Sequence, residues 1–221
     1  MYKLYHYAIC PASRMIRIIL SEVGAEYILL EEKYWDCSEK FLQMNPMGSV
    51  PVLVQGNGVI LNHTQLILEY IYANYNSDIL YPEGNDMLET KKIHLWFHEK
   101  LQYDCTKFFI QEKFIAHFHH KGQPNANTLS LARYNLGVHL EYLAYLLESN
   151  SWISGDKMSL ADITAATQIS ILDFLGEVCW SKIPIIKDWY CIIKSRPSFR
   201  PLLKERIVGI PTPKHYSELD F

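Results

Sequence analysis

No excess of positive charge runs through this chain of 221 residues: 21 Lys and Arg stand against 24 Asp and Glu, a net charge of −3. A protein that works by neutralising phosphates needs a basic footprint, so nucleic acid is not expected as a main partner. Paired cysteines are also missing. The five cysteines, at 10, 37, 105, 179 and 191, are odd in number and form no CxxC pair. Neither a disulfide framework nor a zinc site of paired cysteines is expected, and a reducing cytoplasm fits best. No run of about 18 apolar residues occurs, so no membrane-spanning helix is expected. The opening MYKLYHYAICPAS lacks the apolar run of a signal peptide. Internal repeats, low-complexity tracts, a GxGxxG fingerprint, a phosphate loop and a Ser-His-Asp set are absent, and no two carboxylates stand out as an acid–base pair. What is present is ordinary globular composition, 49% hydrophobic and 20% charged, enough for one large domain or two small ones.

The texture changes near residue 76. Before it, short strand-like and helix-like pieces alternate. Tyr2 to His6 alternates and is rich in β-formers. A helix is expected from about Ser13, with Met15, Ile16, Ile19, Leu20 and Val23 on one face and Gly24 at its end. Residues 26–31 read as a second strand, parallel to the first across the helix. Ser38 caps a helical turn reaching Met44. Residues 51–54 and 58–61 flank Gln55-Gly56-Asn57, a hairpin signal. Thr64 reads as the N-cap of a helix carrying Leu66, Ile67, Tyr70 and Ile71. Residues 76–86 read as a linker. After it the pattern is helical: about 87–117, 128–149, from Ser159, and 184–195. From Pro197 onward, prolines at 197, 201, 211 and 213 predict short turns and an extended tail.

The order βαβ–(α)–ββα followed by helices, together with two motifs, resembles the glutathione transferase superfamily. Asn45-Pro46-Met47-Gly48-Ser49-Val50-Pro51-Val52-Leu53 is similar to that family's NPxGxVPxL loop. Trp152-Ile153-Ser154-Gly155-Asp156-Lys157-Met158-Ser159-Leu160-Ala161-Asp162 is similar to its second motif. The resemblance implies an α/β thioredoxin-like N-terminal domain (1–76), an all-α C-terminal domain (87–221), and a homodimer. It also implies a cis peptide before Pro51, which turns the Val50 backbone toward an extended thiol peptide. Ser159 and Asp162 read independently as a capping box, a folding device. Asp173-Phe174-Leu175-Gly176-Glu177-Val178-Cys179-Trp180, the stretch from Trp189-Tyr190 to Leu203, and the terminal His215-Tyr216-Ser217-Glu218-Leu219-Asp220-Phe221 resemble a narrower branch of the family. That branch binds FtsZ filaments in bacterial cell division. What it implies is a cytoplasmic dimer that does not depend on transferase chemistry.

The candidate chemical residues follow. Cys10 lies between the first strand and the first helix, where the family places its thiol-activating group. A helix N-terminus stabilises a thiolate there. Either Cys10 forms a mixed disulfide with glutathione or the Ser13 hydroxyl donates to a bound thiolate. The alternative is that Cys10 is a half-buried apolar residue and Ser13 a helix cap. His63-Thr64 stands in the place of the family's Glu/Gln-Ser pair. Thr64 keeps a hydroxyl for a carboxylate, or is an ordinary cap. His63 replaces an acceptor-rich side chain, which weakens the case for glutathione. The cofactor-binding set is therefore Val50, Pro51, His63 and Thr64, with glutathione the only cofactor in view. Tyr103, Phe108 and Phe109 offer an aromatic lining for an electrophile. His117 and His120 share a helix face without a completing ligand and read as a solvated helix end; no metal is expected. Trp35, in an irregular charged segment, reads either as an interface anchor or as packing beneath a loop. Asp220 and Phe221 close a tail that either docks on a partner or packs back on its own domain.

Overall fold

The computed structural model describes residues 1–75, 80–82, 84–116, 123–207 and 210–220. Four strands form one sheet in the order β2-β1-β3-β4. They are β1 (Tyr2–His6), β2 (Tyr27–Glu31), β3 (Val52–Val54) and β4 (Ile60–Leu61). β1 runs parallel to β2, with Leu4 opposite Leu29. β3 runs antiparallel to β1, with Leu53 opposite Leu4, and β4 closes the hairpin. The period-two pattern of β1 is met: Leu4 and His6 are buried, while Lys3 is exposed.

Helix α1 (Pro11–Glu22) begins two residues before the expected Ser13, because Cys10 rather than Ser13 is its N-cap. Pro11 fits the first helical position, where an N–H would be orphaned anyway. Ser38 caps α2 (Glu39–Met44) as expected, accepting the Phe41 N–H at 3.3 Å. For α3 (Thr64–Asn74) the expected cap shifts by one residue. His63 occupies the N-cap, its Nδ1 accepting the Gln65 N–H, and Thr64 is the first helical residue. A buried Thr64 turns its side chain to packing, which leaves the cap to the more exposed ring.

Residues 76–86 were expected as a linker, but Leu80 and Tyr81 are core residues, and Leu80 C=O accepts the Leu160 N–H at 3.1 Å. Burial of two large apolar side chains ties this crossing segment down. Helix α4 (Asn85–Leu95) runs without a break into π-type hydrogen bonding over Trp96–Thr106, an α segment at Lys107–Ile110 and a second π segment at Gln111–Ile115. The histidines at 117, 119 and 120 lie outside the described residues. Then come α5 (Ala126–Glu148), capped by Asn125, α6 (Leu160–Phe174), α7 (Pro184–Lys194) and the short α8 (Arg200–Leu203).

Every residue of α6 is buried, so it is the axis of the helical layer. α1 packs across it, which joins the sheet layer to the helices. Arg14 fixes that joint. It has no exposed surface, and its Nε donates to Ala8 C=O at 2.7 Å. Its Nη1 donates to Ser170 Oγ at 2.8 Å and Tyr216 Oη at 2.9 Å. Glu205 supplies the countercharge to Arg14 and Arg17.

Candidate functional site

A cleft of about 720 Å³ opens where the sheet layer meets α4 and α6. That volume suits a small ligand. Cys10, Pro11 and Ala12 from the start of α1, Ser49 and Val50 from the loop before β3, and His63 and Gln65 from the start of α3 line one side. Leu95, His98, Glu99, Gln102 and Tyr103 from α4 and its extension line the other, with Gln168 of α6 and Tyr34 also on the wall. Four residues singled out in the sequence, Cys10, Val50, His63 and Tyr103, therefore meet around one cavity. Ser13 and Thr64 are buried beside it and do not line it.

The peptide bond between Val50 and Pro51 is cis. Cys10 is the pivot of this wall. Its Sγ accepts the Ser13 N–H at 3.4 Å and donates to Val50 C=O at 3.5 Å. The helix start thus aims at the sulfur, as expected. Burial nevertheless outweighs those N–H contacts and the Arg14 charge, and pushes the thiol above its ordinary value. Cys10 is held as a protonated thiol near neutral pH, not as a ready thiolate. The Ser13 hydroxyl is fully buried and does not line the cavity; its side chain acts on the Cys10 sulfur instead.

Apart from Tyr103, the opposite wall was not read from the sequence. His98 lines the cavity and stacks on His94, with ring centroids 5.2 Å apart. Burial lowers the His98 pKa, and the nearby His63 lowers it further against the pull of Glu99. His94 is held at about 3 by burial, reinforced by His98. Gln168 is 2% exposed, and its Oε1 has no partner among the described residues; the same holds for the buried Oε1 of Gln102. A polar Gln168 inside the apolar run of α6 was the one signal that could have pointed here. Of the expected aromatic lining, Tyr103 is present and largely exposed. Phe109 lies in the core and Phe108 is partly buried, and neither faces the cavity. Among the described residues no group of three or more His, Cys, Asp or Glu is arranged to hold a metal ion.

Trp35 lies in a 3₁₀ turn, Tyr34–Asp36, half-buried in an aromatic cluster. Its ring meets Tyr7 at 4.6 Å, Tyr34 at 5.1 Å and Phe114 at 5.3 Å, all edge to face. Through Tyr34 the cluster backs the cavity wall. The tail packs back on its own chain: Tyr216 is fully buried, His215 Nε2 meets Asp173 Oδ1 at 2.8 Å, and Lys194 Nζ donates to His215 C=O at 3.0 Å. Beyond that anchor Glu218 and Asp220 are exposed. Phe221 lies outside the described residues.

Comparison with known proteins gives consistent results. Residues 4–83 match the glutathione S-transferase N-terminal domain, and residues 106–197 match the C-terminal domain. FtsZ-localized protein A of Caulobacter vibrioides is 33% identical over 222 residues, covering 99% of this chain and 97% of its own. The solved structure of FzlA from C. crescentus superposes with a TM-score of 0.96 at 33% identity, covering 100% of this chain and 99% of that one. A glutathione S-transferase from Rhodospirillum rubrum F11 superposes with a TM-score of 0.96 at 37% identity, with full coverage of both chains.

Proposed function

Because the chain belongs to the glutathione S-transferase family, and resembles an FtsZ-localized member along its whole length, we propose that it is a division factor that binds FtsZ filaments as a homodimer. The observation that carries this reading is the full-length similarity to FtsZ-localized protein A. The state of the cavity supports weak or absent transferase chemistry. The Cys10 thiol is pushed up, Ser13 is buried away from the cleft, and His63 stands where the family has an acceptor-rich side chain. A dimer offers two contact faces, so it bridges or bends a filament by multivalency. Asp220, exposed beyond the Tyr216 anchor, and Trp35 are the assigned contacts, together with Phe221. The protein then works in the cytoplasm, where the filaments are.

Co-sedimentation with GTP-assembled FtsZ tests the proposal. The wild type pellets with polymer, and Asp220→Lys pellets much less while keeping its circular dichroism spectrum. Trp35→Ala also weakens binding, with a folding control because its ring packs on Tyr7 and Phe114. A wild type that stays in the supernatant at micromolar FtsZ would sink this reading.

A second reading has its own observation. The cavity places the Cys10 sulfur at a helix start and against the Val50 backbone. The Val50 N–H takes no backbone partner among the described residues. These groups suit a thiol peptide laid along Val50 with its sulfur at Cys10, as in a glutathione-dependent transferase or thiol reductase.

A further inference from the structure

The two walls of the cavity differ in polarity. The starts of α1 and α3, with their N–H groups, lie on one side, at Cys10 to Ala12 and at His63 and Gln65. The facing wall is rich in acceptors. His98, Glu99, Gln102 and Tyr103 come from the π-bonded stretch Trp96–Thr106, and Gln168 comes from α6. π-type bonding inside a helix is frequent at functional sites. Gln168 is 2% exposed, and its Oε1 takes no hydrogen bond among the described residues. The buried Oε1 of Gln102 is in the same state. The terminal torsion of a glutamine is broad, so either oxygen turns to a ligand at little cost. Each buried acceptor left unpartnered costs free energy that a bound donor removes. Glu99 is the single carboxylate among the described lining residues, and no Lys or Arg is among them. Burial holds His98 toward its neutral form, which adds an acceptor nitrogen. Two cations close by are engaged elsewhere and do not line the cavity: Arg14 is bound to Glu205, and Lys107 rests on the ring of Tyr103.

A ligand that satisfies this wall brings several donors and a positive charge. A primary ammonium has three N–H donors and no acceptor, so it matches two amide oxygens and a carboxylate. A ligand carboxylate brings no donor and meets the Glu99 charge, and a hydroxyl brings one donor without charge. Pro11, Tyr34, Val50 and Leu95 give the rest of the ligand an apolar bed in the same cavity. We propose that the wall formed by Glu99, Gln102 and Gln168 binds a primary ammonium group, so that the cavity takes a cationic amine with an apolar body. The site needs no thiol and goes beyond both readings above.

Calorimetry at pH 7 with 4-phenylbutylamine, 4-phenyl-1-butanol and 4-phenylbutanoate tests it. The three share an apolar body and differ in the head group. The wild type binds the amine about tenfold more tightly than the alcohol, the scale of one charge-assisted contact, and the carboxylate most weakly. Gln168→Leu weakens the amine about tenfold and leaves the alcohol unchanged. Should that core variant not fold, Gln102→Leu on the less buried segment gives the same reading. Glu99→Lys, at an exposed position, lets the carboxylate overtake the amine. Alcohol or carboxylate bound as tightly as the amine by the wild type overturns the inference. So does amine binding that the Glu99 and glutamine variants leave unchanged, or no heat from the amine up to about 10 mM, a concentration that reveals even millimolar sites. Glutathione, titrated separately, decides the thiol-peptide reading on its own.

Discussion

Lys194 is a buried amine. It has no exposed surface, donates to His215 C=O, and lies near the faces of Tyr190 and Tyr216. Among the described residues, Asp173, Cys191, Glu218 and Lys187 are charged or titratable groups that act on it. Burial lowers its pKa from 10.5 to about 8 against the pull of Asp173. The unfolded chain keeps this proton up to about pH 10.5, while the folded chain releases it near pH 8. Between those values the unfolded state binds more protons, so this residue makes stability rise with pH, and below them its burial cost is fully present. Urea denaturation at about pH 7.5, 8.5 and 9.5 should show the wild type gaining stability relative to Lys194→Met. Parallel pH profiles for the two proteins would mean that the amine keeps its proton in the fold. The same balance of burial against donors acts at Cys10, where burial also wins and holds the neutral form.

Among the elements, α6 depends on its first turn. Ser159 and Asp162 form the reciprocal capping box expected from their spacing. Asp162 does more than cap. Its Oδ1 accepts the Ile153 N–H and the Trp189 Nε1–H, each at 3.0 Å, and its Oδ2 accepts the Ser159 N–H at 3.0 Å. One carboxylate thus joins the segment before α6, the helix itself and α7. Ser159→Ala should cost about 1 kcal/mol, the usual loss of a cap. Asp162→Ala strands three buried donors and should cost about 3–5 kcal/mol. Urea midpoints for the two variants check this. If Asp162→Ala were no worse than Ser159→Ala, the ties to Ile153 and Trp189 would carry no stability. The spacing Ser-x-x-Asp was legible in the sequence; the bond from Trp189, 27 residues away, was not.

At the scale of the whole molecule, one buried guanidinium ties the sheet layer, α6 and the tail together. Arg14 links the turn before α1, through Ala8, to α6 through Ser170 and to the tail through Tyr216. Phe174 and Tyr216 lie beside its charge, at 5.6 and 5.9 Å from the ring centroids. Arg14→Met leaves Glu205 without one partner and removes every one of these bonds, and should cost about 3–5 kcal/mol. Tyr216→Phe removes one charge-assisted bond and should cost about 1.5–3 kcal/mol. Urea unfolding followed by tryptophan fluorescence reads both values. An Arg14→Met variant with an unchanged midpoint would show that the tail and the sheet layer are joined by apolar packing alone. Because the tail is anchored at Tyr216 and Leu219 packs against the core, the exposed Glu218 and Asp220 are held at a defined place.

Neighbours along the chain decide turns, caps and periodicity. For that reason the sequence by itself determined the element order, the parallel β1–β2 pair, the β3–β4 hairpin, the capping box and the family. It also placed Cys10 and Val50 together, through motifs that the family shares, and both line one cavity. The tertiary structure alone decided which polar groups face them. His98 and Gln168 reach the cavity from helices far along the chain, while Ser13 and Thr64, each next in the chain to a residue that lines it, are buried and do not. It also moved the α3 cap to His63, packed Trp35 on Tyr7 and Phe114, and folded the tail onto Arg14. The physical reason is common to all of these. Whether a polar or aromatic side chain is buried, paired or offered to a ligand depends on what packs against it, and those partners lie tens to hundreds of residues away, beyond any local pattern.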